Sequence, residues 1–364
     1  MVIFVGASLD RPGVRRPRPT ATAIPARLAR VQITALAGGV GGARFLRGLL
    51  THLAQCADAE RRAAQLTIIA NTGDDITLFG LRVCPDLDTV MYTLGGGVDE
   101  SQGWGRADET HALQAELAAY GALPQWFGLG DRDLATHIAR TQLLGLGLPL
   151  SEVTAALCER WELAERNVRL LPMSNDPVET HVVVEDGEGR RAVHFQEWWV
   201  RMQAAVPAQQ FLSVGIESAT AAPGVLEAIR SADVVLLPPS NPVVSIGIVL
   251  GVPGVREAMR ETSAPVVGVS PIVGGRPVRG HADSCLAALG LDVTAGAVAG
   301  LYADFLDGWL VDDAAPEDLS SVRRTSGLAV RAVPLLMSDP ARAAALAGRA
   351  LDLADELQGR RASA

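Results

Sequence analysis

Lysine is absent from the 364-residue sequence, so all 32 of its basic residues are arginine. A phosphate-binding loop of the Walker type depends on a lysine, and Schiff-base and lysine-nucleotidyl chemistry require its amine. These mechanisms are therefore excluded. Any phosphate group must instead be handled by backbone amides, by arginine or by a metal ion.

Net positive charge, long apolar runs and cysteine are also scarce. The formal net charge of −9 argues against a nucleic-acid partner, which normally leaves a basic footprint on the protein. No apolar run reaches the roughly 20 residues of a membrane-spanning helix. The four cysteines, Cys56, Cys84, Cys158 and Cys285, lack the spacing of metal ligands. We therefore expect reduced thiols in a cytoplasmic protein that binds neither nucleic acid nor a membrane.

Composition divides the chain into two unequal parts. Residues 1–30 are rich in proline and arginine and have almost nothing to bury against a core, so a flexible N-terminal extension is expected there. Residues 31–364 predict a single α/β domain, with a helical insertion at about 100–165.

Short apolar segments alternate with helical patterns along this domain. Such alternation favours a doubly wound, mostly parallel, Rossmann-like sheet. Residues 180–195 differ, because two apolar runs flank an Asp-Gly turn, and they predict an antiparallel β-hairpin. A helix is predicted over residues 243–261. The apolar segments with strand character lie at 31–37, 66–71, 232–242 and 264–271.

Four glycines, Gly38, Gly39, Gly41 and Gly42, separate the first predicted strand from the helix after it. A glycine-rich turn at this place directs backbone N–H groups toward an anion at a helix N-terminus. The spacing does not fit the dinucleotide fingerprint, because arginine stands where its third glycine belongs. We interpret the segment as a phosphate-approach loop of nonstandard type; a purely structural turn is the alternative.

The segment NTGDD follows the second predicted strand and carries Asn71, Thr72, Asp74 and Asp75. Ligands of doubly wound sheets bind in a crevice at the carboxyl ends of the strands. Asn71 and Thr72 are therefore expected to bind a polar ligand. Neighbouring side chains diverge, so one of the two aspartates is expected to face the crevice, and a solvated turn is the alternative.

A second acidic segment, CPDLD, carries Asp86 and Asp88. These residues lie on the same side if the chain is extended; alternatively, Asp88 caps a helix that begins at Thr89. Together with Asp75 they supply enough oxygen ligands for a magnesium ion that keeps several waters. We predict Asp75 and Asp88 as metal ligands on which catalysis depends.

The segment GDRDLATHIAR predicts a helix with Asp131 as its cap and Arg132 at its start. Asp133 and His137 are one turn apart on this helix, so their side chains are expected to pair. Arg132 is the residue that we expect to reach a ligand.

The segment PPSNPVVSIG combines Ser240, Asn241 as N-cap, Pro242 at the first helical position and Ser245 within the next turn. Capping followed by proline is a strong signal for a helix start. The same arrangement builds a second anion site at the end of a strand. A plain helix start is the alternative.

Taken together, these segments resemble the 2-phospho-L-lactate transferase family, which acts in biosynthesis of the deazaflavin coenzyme F(420). The resemblance runs from about residue 33 to beyond residue 285. The segments that carry it are AGGVGGARFLRGL, NTGDDITLFGLRVCPDLDTVMYTL, GWGRADET, WFGLGDRDLATHIARTQLL, LLPMSNDPVETHV, HFQEWWV, LPPSNPVVSIG and VSPIVGGRPVRG.

The resemblance implies a magnesium-dependent transfer by a homodimer. The ribityl hydroxyl of the deazaflavin Fo would attack a guanosine diphosphate ester of lactate or of enolpyruvate, which forms a phosphodiester and releases GMP. Asp88 and Arg132 match positions that contact Fo, and Asp75 matches a position near the metal. The glycine loop and the turn from Ser240 to Ser245 would hold the guanylate and its diphosphate.

A related group of regulatory proteins is the alternative. These proteins share the glycine loop and the acidic turn, and they bind a sugar nucleotide without known catalysis. They usually follow the aspartates with glycine and serine, whereas Ile76 and Thr77 stand here. The segments CPDLDTV and HFQEWWV also favour the transferase. The sequence leaves the choice between a lactyl and an enolpyruvyl donor open.

Overall fold

The structure, a computed structural model, describes residues 30–315, 319, 322 and 328–362. Apart from Arg30, the N-terminal extension predicted at residues 1–30 lies outside the described residues. All four cysteines are described, and each is a free thiol. Within the described ranges, no helix is both long and apolar enough to cross a membrane.

Strands occur in short segments distributed along the chain. They are β1 (Gln32–Ala37), β2 (Gln65–Ala70), β3 (Ile76–Leu78), β4 (Leu81–Val83), β5 (Val168–Pro172), β6 (Glu179–Asp186), β7 (Gly189–His194), β8 (Ala208–Val214), β9 (Val234–Leu237), β10 (Val266–Val269), β11 (Ile272–Val273), β12 (Arg276–Pro277), β13 (Gly308–Asp312) and β14 (Ala329–Val333).

The α-helices connect these strands or cover the sheet that they form. They are α1 (Gly39–Gln55), α2 (Ala59–Arg62), α3 (Pro85–Gly95), α4 (Ala112–Ala119), α5 (Asp131–Gly145), α6 (Leu150–Glu159), α7 (Val225–Arg230), α8 (Ile246–Gly251), α9 (Val255–Glu261), α10 (Ala282–Ala288), α11 (Ala295–Gly300) and α12 (Pro340–Ala362). Helices α4, α5 and α6 lie in the segment predicted as a helical insertion.

The main sheet has seven strands in the order β14-β13-β10-β9-β1-β2-β5, and every neighbouring pair in it is parallel. The chain leaves β1 toward β2 on one side and leaves β9 toward β10 on the other. The direction of winding therefore changes between β1 and β9, and a ligand crevice is expected at this place. The predicted doubly wound α/β fold is confirmed.

Helices cover both faces of the sheet. One apolar core lies beneath α1, α3 and α12, and a second lies beneath α7, α8, α9 and α11 on the opposite face. The C-terminal helix α12 packs closely on α1, because Gly48 faces the backbone of Ala343 and Gly348 faces the ring of His52. A parallel sheet buried on both faces is the reason that its strands read as continuous apolar runs.

A three-stranded antiparallel sheet, β7-β6-β8, lies beside the main sheet. Strands β6 and β7 form the hairpin expected at residues 180–195, and β8 adds a third strand to it. The HFQEWWV segment (194–200) begins at the end of β7.

One predicted helix is divided into two. The segment predicted as a helix over 243–261 contains α8 and α9, separated by a turn that includes Pro253. Proline lacks the N–H that a helix interior needs, and Gly254 adopts the left-handed conformation with φ 88°. The chain therefore turns between the two helices.

Candidate active site

The loops that follow β1, β2 and β9 meet at the carboxyl edge of the sheet. They are the glycine turn (38–42), the acidic loop (71–75) and the serine loop (238–245). Direct hydrogen bonds join them, since Ser240 contacts Gly38 and Asn71 contacts the backbone of Val244. The segments that the sequence singles out after these strands are therefore brought to one place.

The second half of the glycine turn packs against the serine loop. A Cβ atom at Gly41 would lie 2.2 Å from the carbonyl oxygen of Pro239, and one at Gly42 would lie 2.6 Å from the Ser240 hydroxyl. That hydroxyl accepts a hydrogen bond from the Gly38 N–H at 3.1 Å and donates one to its carbonyl at 2.8 Å. Close packing across the switch point requires these glycines, whatever ligand binds there.

The first half of the turn contacts a carboxylate of the protein itself. Asp86 Oδ1 accepts a hydrogen bond from the N–H of Gly39 at 2.8 Å, and Gly39 adopts φ 62°, a conformation that favours glycine. The Gly38 and Gly39 amides, predicted to approach a phosphate, are thus both bonded within the protein. The amides that follow them in the first turn of α1 have no intrahelical acceptor.

Asn71 connects the acidic loop to its neighbours. Its amide nitrogen donates to Asp86 Oδ2 at 3.0 Å and to the Val244 carbonyl at 3.2 Å, and its Oδ1 accepts from the Gly73 N–H at 2.9 Å. The side chain is completely buried. Asn71 therefore holds the site together, and its expected contact with a polar ligand stays a prediction.

The serine loop begins a turn before it begins a helix. Asn241 Oδ1 accepts hydrogen bonds from the N–H groups of Val243 and Val244, but α8 starts only at Ile246. The prediction of Asn241 as N-cap with Pro242 in the first helical position is therefore wrong. The four residues after Asn241 form turns instead, which place the Ser245 side chain against the glycine turn.

Asp75 is a buried carboxylate without a hydrogen-bonding partner among the described residues. Its exposure is 0 %, and neither of its oxygens accepts a hydrogen bond within them. The nearest cation is Arg82, whose Nη2 lies 3.5 Å from Oδ2. Burial raises the pKa of Asp75 to about 7, against the opposing effects of the Arg82 charge and the Cys84 thiol. A buried carboxylate that accepts no hydrogen bond and has only a 3.5 Å ion pair to balance its charge indicates a ligand site.

Two neighbours of Asp75 in the acidic loop also have side-chain oxygens that lack a hydrogen bond. Thr72 Oγ1 and Asp74 Oδ1 are buried and have no hydrogen-bonding partner among the described residues. Burial, followed by the nearby Asp86 charge, raises the pKa of Asp74 well above its usual range. Burial also raises the pKa of Asp86, to about 6. The carboxylates on this edge thus carry a desolvation cost that a cation would relieve.

The side chains of Asp86 and Asp88 do not lie on the same side of the chain. Both lie in the first turn of α3, which begins at Pro85, and residues two apart on a helix point about 200° away from each other. The prediction that they lie on the same side of an extended chain is therefore wrong. So is the alternative of Asp88 as a helix cap, because the helix starts before it.

Asp88 is paired with a buried arginine. Both of its oxygens accept hydrogen bonds from Arg140, one of them at 3.0 Å from Nη1, and Arg140 is only 1 % exposed. His137 Nδ1 lies 3.7 Å from the same carboxylate, and its Nε2 lies 3.3 Å from Asp133. The expected contact between Asp133 and His137 is confirmed. Ligand atoms of Asp88, Asp133 and His137 all lie within 4.8 Å of one another, close enough to hold a metal ion.

The polar residues at the start of α5 make contacts that differ from the predicted ones. Asp131 is the first residue of the helix, and its carboxylate accepts hydrogen bonds from the N–H groups of Ala112 and Leu113. It therefore caps α4, and not the helix that it begins. The Arg132 side chain is 53 % exposed and donates to the Ala107 carbonyl, so it is accessible to a ligand.

Arginines also collect at the start of α1. Nη2 of Arg44 and Nη1 of Arg279 each lie 3.2 Å from the position that a Cβ on Gly103 would take, and Val40 lies 2.7 Å from it. Burial, followed by the charge of Arg279, lowers the pKa of Arg44. Two crowded guanidinium groups beside the glycine turn favour binding of an anion, a role that lysine cannot take in this chain.

Several site residues have no counterpart in the sequence-based prediction. Arg140 lies three residues after His137, and that helical spacing is a signal that could have found it. His194 and Gln196 contact the acidic loop from 119 and 122 positions away, so local spacing contains no signal for them. Arg82 lies near Asp75 in the sequence, and the antiparallel pairing of β3 with β4 brings it back to the loop.

The fold and the site define an α/β protein of the doubly wound class, with a cluster of buried carboxylates and arginines at its switch point. Residues 33–334 match the family described as 2-phospho-L-lactate transferase CofD. The chain belongs to this family of transferases.

Curated relatives resemble the chain over almost all of their length. A protein of Thermobifida fusca named phosphoenolpyruvate transferase is 62% identical over 331 residues, which cover 91% of this chain and 100% of the relative. Proteins of the same name from Streptomyces coelicolor and Mycolicibacterium smegmatis are 61% and 54% identical, over 90% and 89% of this chain and 99% of each relative.

Solved structures support the fold. Two crystal structures of protein BH3568 from Bacillus halodurans, a member of the UPF0052 family, superpose with TM-scores of 0.57 and 0.54 at 18% and 16% sequence identity. The superpositions cover 88% and 87% of this chain and 99% and 98% of the other. At this level of identity, the likeness concerns the fold alone.

Proposed function

We propose that this protein transfers the phosphoenolpyruvyl group from a guanosine diphosphate ester to the ribityl hydroxyl of the deazaflavin Fo, in the biosynthesis of coenzyme F(420). The hydroxyl oxygen forms a bond to the phosphorus that carries the enolpyruvyl group. The bond from that phosphorus to the bridging oxygen breaks, GMP leaves with this oxygen, and the hydroxyl proton is released.

The observation that carries the proposal is the group of buried side-chain oxygens in the acidic loop, at the switch point, that accept no hydrogen bond among the described residues. A folded protein gains nothing from leaving the Asp75 carboxylate buried with no hydrogen bond, yet the loop places it at the edge where ligands of this fold bind. The family's reaction needs anionic groups to be held and neutralised at such a place.

A divalent cation fits this donor set. The acidic loop offers buried oxygens that accept no hydrogen bond among the described residues, from Thr72, Asp74 and Asp75. Asp88 gives two acceptor positions to Arg140, and a carboxylate has about four, so it can still contribute. When bound, magnesium would offset the negative charge of the transferring phosphate. We propose Asp75 and Asp88 as the metal-binding and catalytic carboxylates.

The two substrates would bind on either side of these carboxylates. Arg132, exposed at the start of α5, and Asp88 would contact Fo. The first-turn amides of α1, together with Ser240, Asn241 and Ser245, would position the guanylate. Arg44 and Arg279 would hold its diphosphate, because guanidinium groups match phosphate oxygens in geometry and charge. The enzyme is proposed to act as a homodimer, which sedimentation can test.

The names of the curated relatives support enolpyruvyl over lactyl as the acyl part of the donor. The test is mass spectrometry of the product after incubation with Fo, magnesium and each of the two guanosine diphosphate esters separately. We expect a deazaflavin phosphodiester and GMP, formed faster from the enolpyruvyl ester. Faster turnover of the lactyl ester would overturn the donor assignment. Binding of either ester without any product would instead favour the regulatory alternative.

A further inference from the structure

The backbone of the acidic loop is held from outside the loop. Three consecutive carbonyl groups, those of Gly73, Asp74 and Asp75, each accept a hydrogen bond from the β6–β7 hairpin or the segment after it. The donors are the N–H of Thr180 at 2.7 Å, the Gln196 side chain at 3.4 Å and the His194 ring at 3.2 Å. The small antiparallel sheet therefore sets where the acidic loop lies.

The hydrogen bonds of His194 define its protonation. Its Nδ1 accepts a hydrogen bond from the N–H of Gln196 at 3.1 Å, so this nitrogen carries no proton. The Nε2 atom must then carry the hydrogen and donate it to the Asp75 carbonyl. Burial lowers the pKa of His194, which agrees with a neutral ring. His194 is thus a fixed donor to the backbone of Asp75.

The carboxylate of Asp75 is restrained by the same sheet. Arg82 Nη2 lies 3.5 Å from this carboxylate, and Arg82 Nη1 lies 3.4 Å from Glu179 at the start of β6. The backbone and the side chain of Asp75 are therefore both tied to the β6–β7 hairpin. Fixing the backbone of a ligand residue fixes the direction of its carboxylate, and supporting contacts of this kind tune metal sites.

We propose that His194 is a positioning residue for the transfer reaction, and that it acts through the Asp75 carbonyl to aim the Asp75 carboxylate into the crevice. Gln196 supports it through the Asp74 carbonyl. This assigns a role to the HFQEWWV segment, which the site residues predicted from sequence leave without one. The inference rests on the proposed function, because it takes Asp75 as the residue whose aim matters.

The test compares His194→Ala with two reference variants. His194→Gln keeps an amide donor near the position of Nε2. His181→Ala removes the neighbouring ring of the same hairpin, whose centroid lies 5.6 Å away, and His181 contacts Glu179 instead of the acidic loop. For each protein, we would measure kcat, KM for the guanosine diphosphate ester and the rise in Tm produced by magnesium alone.

For His194→Ala we expect kcat to fall by roughly 10- to 100-fold, the scale of a small misplacement of a reacting group, with little change in KM. The magnesium-induced rise in Tm should shrink. His194→Gln should recover most of both quantities, and His181→Ala should resemble the wild type. Gln196→Leu should also lower kcat and the magnesium-induced rise in Tm, although by less than His194→Ala.

A His194→Ala protein with wild-type kcat and a wild-type response to magnesium would overturn the positioning role, even if its Tm were lower. An equal loss in His181→Ala would also overturn it, because the effect would then not be specific to the hydrogen bond from His194 to the Asp75 carbonyl. By contrast, a wild-type protein that forms no product and does not respond to magnesium would refute the proposed function itself.

Discussion

Asp75 and Asp88 are both buried carboxylates at the carboxyl edge of the sheet, but their surroundings differ. The Asp88 carboxylate is held by two hydrogen bonds from Arg140, so its charge is neutralised within the fold. The Asp75 carboxylate accepts no hydrogen bond among the described residues, and its closest arginine nitrogen is 3.5 Å away. The charge of Asp88 is thus balanced by an arginine within the fold, whereas both oxygens of Asp75 remain without a hydrogen bond from the described residues.

This difference separates two uses of a buried charge. Breaking a hydrogen-bonded ion pair leaves a buried partner unpaired and destabilises the protein, whereas removing a buried carboxylate that accepts no hydrogen bond relieves a desolvation cost. Turnover is expected to depend on both residues. Stability should therefore respond to the two substitutions in opposite directions, and that contrast distinguishes them experimentally.

The largest effect is expected for Asp88→Asn. The substitution weakens the interaction with Arg140 and leaves that guanidinium buried, so the free energy of unfolding should fall by about 3–5 kcal/mol. Turnover should fall by at least about 100-fold. Chemical denaturation measures the free energy of unfolding, and steady-state assays measure turnover. As a control, Asp88→Asn combined with Arg140→Met should regain stability without regaining turnover; an unchanged stability in the single variant would contradict the pairing.

Asp75→Asn should reduce turnover by a comparable factor, at least about 100-fold, but without loss of stability. Arg82 keeps Glu179 as a partner at 3.4 Å, so no cation is left unpaired. Steady-state assays and thermal denaturation of the same sample check both expectations. Loss of the folded state in this variant would mean that Asp75 serves the fold instead of the ligand.

The pH dependence of stability should reveal Asp75 directly. Its pKa is about 7 in the folded chain and about 3.9 in an unfolded one, so the folded chain keeps a proton that the unfolded chain has lost. Stability therefore falls as pH rises through this window. In EDTA, Asp75→Asn should melt above the wild type at pH 8, and the difference should narrow toward pH 5.

The control for this pH series is Asp352→Asn, because the Asp352 side chain is 50 % exposed on α12. Its melting temperature should follow the wild type at every pH. A constant difference between Asp75→Asn and the wild type across the series would show that Asp75 does not titrate near neutrality.

A smaller effect is expected where the glycine turn meets the serine loop. Ser240→Ala with Asn241→Ala should raise KM for the guanosine diphosphate ester more than KM for Fo, because Ser240 fixes the Gly38 backbone in place. Ser231→Ala, at the exposed end of α7, is the control. If both KM values and Tm change together, the loop is a structural turn and its assigned ligand role is incorrect.

No effect is expected from removal of residues 1–30. Their proline- and arginine-rich composition offers almost nothing to bury, so a chain that begins at Val31 should match the full chain in melting temperature and turnover. Parallel thermal and kinetic measurements decide this point, and a large loss in either would show that the extension contributes to the fold or the site.

Regular periodicity made most of the fold predictable. The first two strands, expected at 31–37 and 66–71, form β1 and β2 within one residue of those bounds, because buried parallel strands have an unmistakable apolar pattern. The antiparallel hairpin followed from its Asp-Gly turn. The split between α8 and α9 was missed, although Pro253 and Gly254 signal it.

The site was predictable only where its residues follow a strand directly. Asn71 and Asp75 lie in the loop that follows β2, and their place at the sheet edge follows from topology. The contact between His194 and Asp75 spans 119 positions of the chain. The contact between Arg140 and Asp88 spans 52 positions. No local pattern encodes such contacts, since only the packed fold brings them together.

The most direct measurement of the central claim is turnover in the presence of a chelator. Without a cation, each ionised carboxylate of the acidic loop would repel the anionic donor, at a cost of about 4 kcal/mol for like charges about 4 Å apart at an effective dielectric of 20. EDTA should therefore abolish phosphodiester formation, and added magnesium should restore it in the wild type but not in Asp75→Asn. Full activity in EDTA would contradict the proposed cation site.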